Sequence, residues 1–165
     1  MLERTGIPTD DDLEKIIPDK KRLAKGPVVI IECFQKIPCN PCAISCKFGA
    51  IKPFEDINDL PIVDFDKCTG CGICISSCPG LAIFVIDENY SEKEALIKLP
   101  YEMLPLPQKG EDVYALDRTG EIVGKAKVIK VLKTKNKTNV ISILVPKNMS
   151  MKVRSIKVED KNNEG

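Results

Sequence analysis

The feature that most constrains this chain is a run of four cysteines within eleven residues: Cys68, Cys71, Cys74 and Cys78, with Pro79 directly after, in the spacing C-x2-C-x2-C-x3-C-P. Thiolates three residues apart bend the backbone into a tight loop around whatever they hold, and Gly70 and Gly72 let the main chain approach it closely. Four further cysteines, Cys33, Cys39, Cys42 and Cys46, come earlier, and the chain contains no histidine. That absence excludes Rieske-type ligation, Cys/His zinc fingers, imidazole acid–base catalysis and histidine-based triads together. The chemistry left is that of thiolates.

The two cysteine groups are copies of one unit. A shift of 32 positions carries Cys39, Cys42 and Cys46 onto Cys71, Cys74 and Cys78, Ser45 onto Ser77, Ala50 onto Ala82, and Ile51 onto Ile83. Cys33 falls out of register with Cys68, because the first copy has three extra residues before its second cysteine. One copy therefore has an expanded loop.

Eight cysteines in 165 residues could also signal disulfides. The N-terminal stretch, Met1-Leu2-Glu3-Arg4 leading to Asp10-Asp11-Asp12, lacks the apolar run of a secretory signal, so a cytoplasmic protein is expected. Thiols stay reduced there, and dense cysteines point to metal. No apolar window is long enough to span a membrane. Basic and acidic residues balance at a net +1, which argues against a nucleic-acid partner. Aromatics are 5% of the chain and tryptophan is absent, so the core is thin and metal is a natural staple.

Composition divides the chain into five stretches. Residues 1–27 read as a polar arm, with a short helix capped by Thr9 and Asp12 and stopped by Pro18. Residues 28–87 hold the cysteines and open on the strand-like Val28-Val29-Ile30-Ile31. Residues 88–109 form a proline-containing connector, where Ser91 and Glu94 could cap a helical turn before Pro100, Pro105 and Pro107 extend the chain. Residues 110–158 carry β-branched runs at 113–116, 122–132, 140–145 and 153–158, which predict a small antiparallel barrel. The lysines around 125–137 read as solvated strand faces, and residues 159–165 as a flexible tail.

Both cysteine runs, the repeat, and the Val63-Asp64-Phe65-Asp66-Lys67 lead into Cys68 make residues 28–87 resemble the two-cluster bacterial ferredoxins. The resemblance implies two [4Fe–4S] clusters. Cys33, Cys39 and Cys42 with Cys78 would hold one, and Cys68, Cys71 and Cys74 with Cys46 the other, the fourth cysteine of each run crossing to its neighbour's cluster. The chain departs from the family where five residues separate Cys33 from Cys39, and where Lys47 stands after Cys46 in place of proline. Lys36 and Lys47 would then raise the potential of the first cluster and make the pair directional. Structural zinc in all-cysteine sites, or one cluster with Cys33 idle, remain the alternatives.

The expected fold is thus α+β: a ferredoxin-like two-cluster module followed by a small antiparallel β barrel. No dinucleotide or phosphate loop accompanies the cysteines, so the chain is expected to relay electrons without a catalytic site of its own. Its layout and the run from Cys33 to Cys42 are similar to the small iron–sulfur subunits of multi-subunit flavin-dependent dehydrogenases. That implies FAD-containing dehydrogenase subunits, or other redox proteins, as partners. A standalone ferredoxin and a redox-sensing or assembly protein are the rival readings.

Overall fold

A computed structural model of the chain describes residues 2–160. Its N-terminal arm contains three short helices, α1 (Leu2–Thr5), α2 (Asp10–Glu14) and α3 (Lys20–Leu23). The capping box expected at α2 is present: the Asp12 amide donates to Thr9 Oγ1 at 3.3 Å, and the Thr9 amide donates to the Asp12 carboxylate at 2.9 Å. The Thr9 amide and the Thr9 hydroxyl, which donates to the same carboxylate at 2.8 Å, hold the Asp12 carboxyl below its ordinary value. Pro18 separates α2 from α3, whose N-cap is Asp19.

Strands β1 (Val28–Ile31), β2 (Ile83–Asp87), β3 (Glu94–Tyr101), β4 (Asp112–Leu116), β5 (Ile122–Leu132), β6 (Asn139–Pro146) and β7 (Ser155–Lys157) form one sheet. All its pairings are antiparallel, in the order β1-β2-β3-β6-β5-β4-β7. Between β1 and β2 lie the cysteine loops and two helices, α4 (Pro41–Ser45) and α5 (Ile73–Ser77). A 3-10 turn, Lys147–Met149, follows β6.

The period-2 pattern of β1 and β2 separates two cores. Ile30, Phe84 and Ile86 face a cluster fed by every strand, including Ile97, Leu99, Val113, Val128, Ile143 and Ile156. Val29, Ile31, Ile83 and Val85 face a second cluster that contains Ile51, Cys74 and Ile75. Both faces of β1 are therefore covered, which explains why all four of its residues are apolar.

The closed barrel expected over residues 110–158 does not form. The sheet is open, its edges are β1 and β7, and it runs without a break from the cysteine region into the C-terminal strands. The element that joins them is β3, in the stretch that read as a connector. Its Ala95, Ile97, Leu99 and Tyr101 alternate inward, and it pairs with β2 on one side and β6 on the other. Pro100 fits because β2 pairs only with residues 96–98, which leaves that side of the strand without a ladder at Pro100. The helical turn considered at Ser91–Glu94 is a tight turn: the Glu94 amide donates to Ser91 Oγ at 3.0 Å and the chain enters β3 directly.

Register breaks at 115/116 and at 128/130 bend β4 and β5, so the sheet coils around its core without closing. Side chains close the seam between its edges. Glu32, next after β1, meets Arg154, just ahead of β7, and Arg118 from the turn between β4 and β5. Of the tail expected over 159–165, residues 161–165 lie outside the described residues.

Candidate metal centre

The 32-residue repeat of the sequence is a repeat of structure. Helices α4 and α5 occupy equivalent positions of the two copies and end at equivalent cysteines, Cys46 and Cys78, both in extended conformation. The fourth cysteine of each run thus closes a helix, and Pro79 follows the helix end. Strand pairing obeys the same shift: Ile31 pairs with Ile83, and the reciprocal pair is the isolated bridge between Ile51 and Val63. The segment before the cysteines of either copy pairs with the segment after the cysteines of the other.

This exchange distributes the cysteines into two groups of four. Cys33, Cys39, Cys42 and Cys78 line one small cavity, walled by Ile31, Ile83, Phe54 and Pro61. Burial pushes the Cys42 thiol up to about 11; the Ala43 amide opposes the shift, and neighbouring Cys78, Cys39 and Cys33 add to it. Burial also raises Cys33, with Cys78 and Cys39 contributing repulsion. Cys46, Cys68, Cys71 and Cys74 form the other group: Cys74 is pushed up to about 12 by burial, then by Cys68, Cys71 and Cys46. Each group takes three cysteines from one copy and its fourth from the other. The expanded first loop does not expel Cys33, because the Cys39 amide donates to the Ile57 carbonyl at 3.0 Å and seats the loop.

None of the eight cysteines is in a disulfide. Among the described residues, no three cysteine, aspartate or glutamate side chains stand close enough to hold a single ion. The donor set of each group, four thiols without oxygen or nitrogen ligands, suits an iron–sulfur cluster.

Backbone N–H groups converge on the sulfurs. Burial works against the Cys46 thiolate, yet the amides of Ile51, Phe48, Ala50 and Gly49 outweigh it and bring this thiol below its ordinary value. The Val29 amide, from the sheet, donates to Cys68 Sγ at 3.4 Å. Gly70 has φ +68°, and a Cβ there would fall 2.5 Å from Pro27 Cβ. The arm's close packing demands this glycine, a reason the sequence did not disclose.

Cations that the sequence did not single out hold the backbone that leads into the cysteine loops. Arg22 of α3 donates to the carbonyls of Cys68 and Phe65, each at 2.7 Å, and to those of Pro27 and Gly26. Lys98 of β3 donates to the Gly70 carbonyl at 3.1 Å. Beside Cys33, the Glu32 carboxylate accepts from Arg118 at 2.6 and 2.9 Å and from Arg154 at 2.7 Å. Burial lowers Arg154 to about 10, with Glu32 opposing, so it stays charged at neutral pH. Burial would raise Glu32, but the two guanidinium groups prevail and hold it below the ordinary carboxylate range. Lys36 and Lys47, expected beside the first group, are exposed, and the inward-facing charge comes from these other residues. One sign was available in the sequence: Glu32 extends a wholly apolar strand, and a carboxylate in such a place requires a partner.

Comparison with known proteins bears on the second cysteine run. Residues 61–84 match the family model described as a 4Fe-4S binding domain. The chain is similar to the pyruvate synthase subunit PorD of Methanocaldococcus jannaschii, 42% identical over 53 residues, covering 32% of this chain and 59% of that protein. It is 36% identical over 59 residues to the ferredoxin-type protein NapF of Haemophilus influenzae, covering 34% of each. It is 38% identical over 66 residues to a selenate reductase subunit of Mesobacillus selenatarsenatis, covering 39% of this chain and 22% of that one. The chain thus spans about a third of NapF and less than two thirds of the other two. No solved structure matches it. The segment around Cys68, Cys71, Cys74 and Cys78 is a ferredoxin-type 4Fe-4S binding segment.

Proposed function

We propose that the chain is an electron relay holding two [4Fe–4S] clusters, one on Cys33, Cys39, Cys42 and Cys78 and the other on Cys46, Cys68, Cys71 and Cys74. The observation that carries this reading is the reciprocal exchange of the fourth cysteine, which leaves two complete sets of four thiols and no cysteine over. The clusters would supply one-electron chemistry. The chain's own residues offer N–H donors to the sulfurs and fix the two groups relative to each other. Iron, acid-labile sulfide and zinc measured on protein purified without oxygen test the reading. About eight iron and eight sulfide per chain support it, about four of each leave one relay, and zinc without sulfide overturns it.

The same proposal makes the chain an iron–sulfur subunit of an oxidoreductase complex, working beside FAD-containing dehydrogenase subunits in the cytoplasm. Its support is that similar proteins are named as enzyme subunits, among them the pyruvate synthase and selenate reductase subunits; the FAD-containing partner rests on the resemblance of the run from Cys33 to Cys42. The extra arm and C-terminal strands offer docking surface around the cysteine module. No helix among the described residues is long and apolar enough to cross a membrane. Purification of the chain from its native cells tests this part: a stoichiometric flavoprotein supports it, and a monomer reducing many acceptors favours a standalone ferredoxin.

A further inference from the structure

From Ile122 to Val158 the sequence has no aspartate or glutamate, yet it contains nine lysines. The structure divides those of the hairpin formed by β5 and β6 into two kinds. Near its base, Lys125 pairs with Glu159 at 2.7 Å and Lys127 with Asp112 at 3.0 Å. Toward its tip, Lys130, Lys133, Lys135 and Lys137 are exposed, and among the described residues none has an ion-pair partner. One carboxylate, Glu102, approaches this end, and it accepts from the Thr138 hydroxyl at 2.5 Å.

The tip is fixed against the cysteine module: the Asn136 side chain donates to the Ser76 carbonyl on α5. A groove runs between hairpin and helix, lined by Cys71, Ile73, Lys98, Lys130 and Leu132. Cys71 is the one exposed cysteine of the eight, and Ile73 and Leu132 are exposed at 41% and 49%. The least covered edge of one thiol group therefore opens onto an apolar strip lined by the unpaired Lys130, below a hairpin tip that carries Lys133, Lys135 and Lys137 and is seated on α5.

We infer that this groove is where a one-electron redox protein docks, through an apolar patch ringed by carboxylates. Charge selects the occupant: unpaired Lys130 in the groove and Lys133, Lys135 and Lys137 on the hairpin tip attract an acidic face and repel a basic one. The inference rests on the cluster reading above. One electron crosses at the Cys71 edge; the partner is oxidised as the chain is reduced, or the reverse, and no bond forms or breaks.

The test uses the full, cluster-loaded chain, reduced beforehand, with iron and sulfide measured so that failure to load is seen separately. In stopped flow it gives one electron at a time either to the anionic iron(III)–EDTA chelate or to cationic tris(phenanthroline)cobalt(III). The iron goes from III to II, or the cobalt from III to II. The anionic probe is expected to react more slowly as the Debye length falls from about 30 Å at 0.01 M salt to about 8 Å at 0.15 M. The quadruple variant K130E/K133E/K135E/K137E should react with it about tenfold more slowly at low salt and reverse the salt slope, while the cationic probe speeds up. The pair K125Q/K127Q, at the neutralised base, should behave as the parent chain.

A readout without electron transfer is the anisotropy of a fluorescein-labelled oligoglutamate peptide, which should bind the parent chain at low salt and not the quadruple variant. An unchanged quadruple variant, an equal loss in K125Q/K127Q, or no peptide binding by the loaded parent chain would overturn the inference. A chain that never loads iron refutes the cluster reading, and peptide binding then still decides whether the acidic-partner surface exists.

Discussion

Arg22 Nη2 lies 2.7 Å from the carbonyl oxygen of Cys68, and the same guanidinium reaches the carbonyls of Phe65, Gly26 and Pro27. One side chain of the N-terminal arm thus gathers the lead into the second cysteine loop and the lead into β1. It also brings a positive charge to the Cys68 loop, which under the cluster proposal becomes more negative on reduction. The arm is part of the candidate metal centre.

Replacing Arg22 with alanine should strip several charge-assisted hydrogen bonds. It should lower stability by about 2–4 kcal/mol, given about 1.5–3 kcal/mol for each bond to a charged group and partial replacement by water. R22K, which keeps the charge and loses the fork, should recover part of this loss. Denaturant midpoints of the loaded protein check the stability. Redox titration should show the potential of one cluster falling in R22A while the other stays fixed. A uniform shift of both would contradict the local role.

Glu32 holds two guanidinium groups where the sheet's edges meet, with its side chain 9% exposed and that of Arg154 4% exposed. E32Q should cost about 3–5 kcal/mol, because it leaves two cations facing each other in a buried site. The double variant E32Q/R154M should be less destabilised than the sum of its single changes, since removing both partners avoids the stranded charge. Urea unfolding of the four proteins in the cycle measures the coupling; additive values would show that the seam closes without this ion pair.

Gly70 is required twice, by its φ of +68° and by the contact with Pro27. G70A should disturb the Cys68–Cys71 loop and leave the Cys33 cavity intact, since none of that cavity's walls includes Gly70. Iron content should fall from about eight to about four per chain. C33S should produce the complementary loss. Either variant losing all its iron would show that the groups assemble only together.

Removing the metal should not unfold residues 28–87 as a block. β1 and β2 are buried in the shared sheet, with Val28, Ile30, Ile83, Val85 and Ile86 fully covered. The segments between them, which carry the thiols, have little apolar burial apart from Ala50, Ile51 and Ile75 and depend on the metal for their closure. Hydrogen exchange on chelator-treated protein should show protection retained in β1, β2 and β3 and lost across 33–49 and 64–78. Loss of protection in β1 together with the loops would mean that the sheet itself needs the metal.

The sequence by itself determined the candidate donor set. A fixed spacing of cysteines and its 32-residue repeat are local, covalent information, and the helices that end at Cys46 and Cys78 follow the repeat residue for residue. The Thr9–Asp12 cap, the strand at Val28 and most of the C-terminal strands were equally legible, since capping chemistry and period-2 alternation act over a few residues. Strands β2 and β3 were not read from the sequence; at β3, three prolines nearby concealed an alternation that stabilises the chain only between two partner strands.

Tertiary structure alone decided how distant parts combine. It merged the cysteine region and the C-terminal strands into one open sheet, because strand pairing depends on which edges meet in space. It brought Arg22 and Lys98 to backbone carbonyls of the second cysteine loop and joined Glu32 to Arg118 and Arg154, because a long cationic side chain takes its partner from wherever the fold leaves a buried acceptor. It also separated paired from unpaired lysines along one hairpin, since a charge is neutralised by proximity and not by composition.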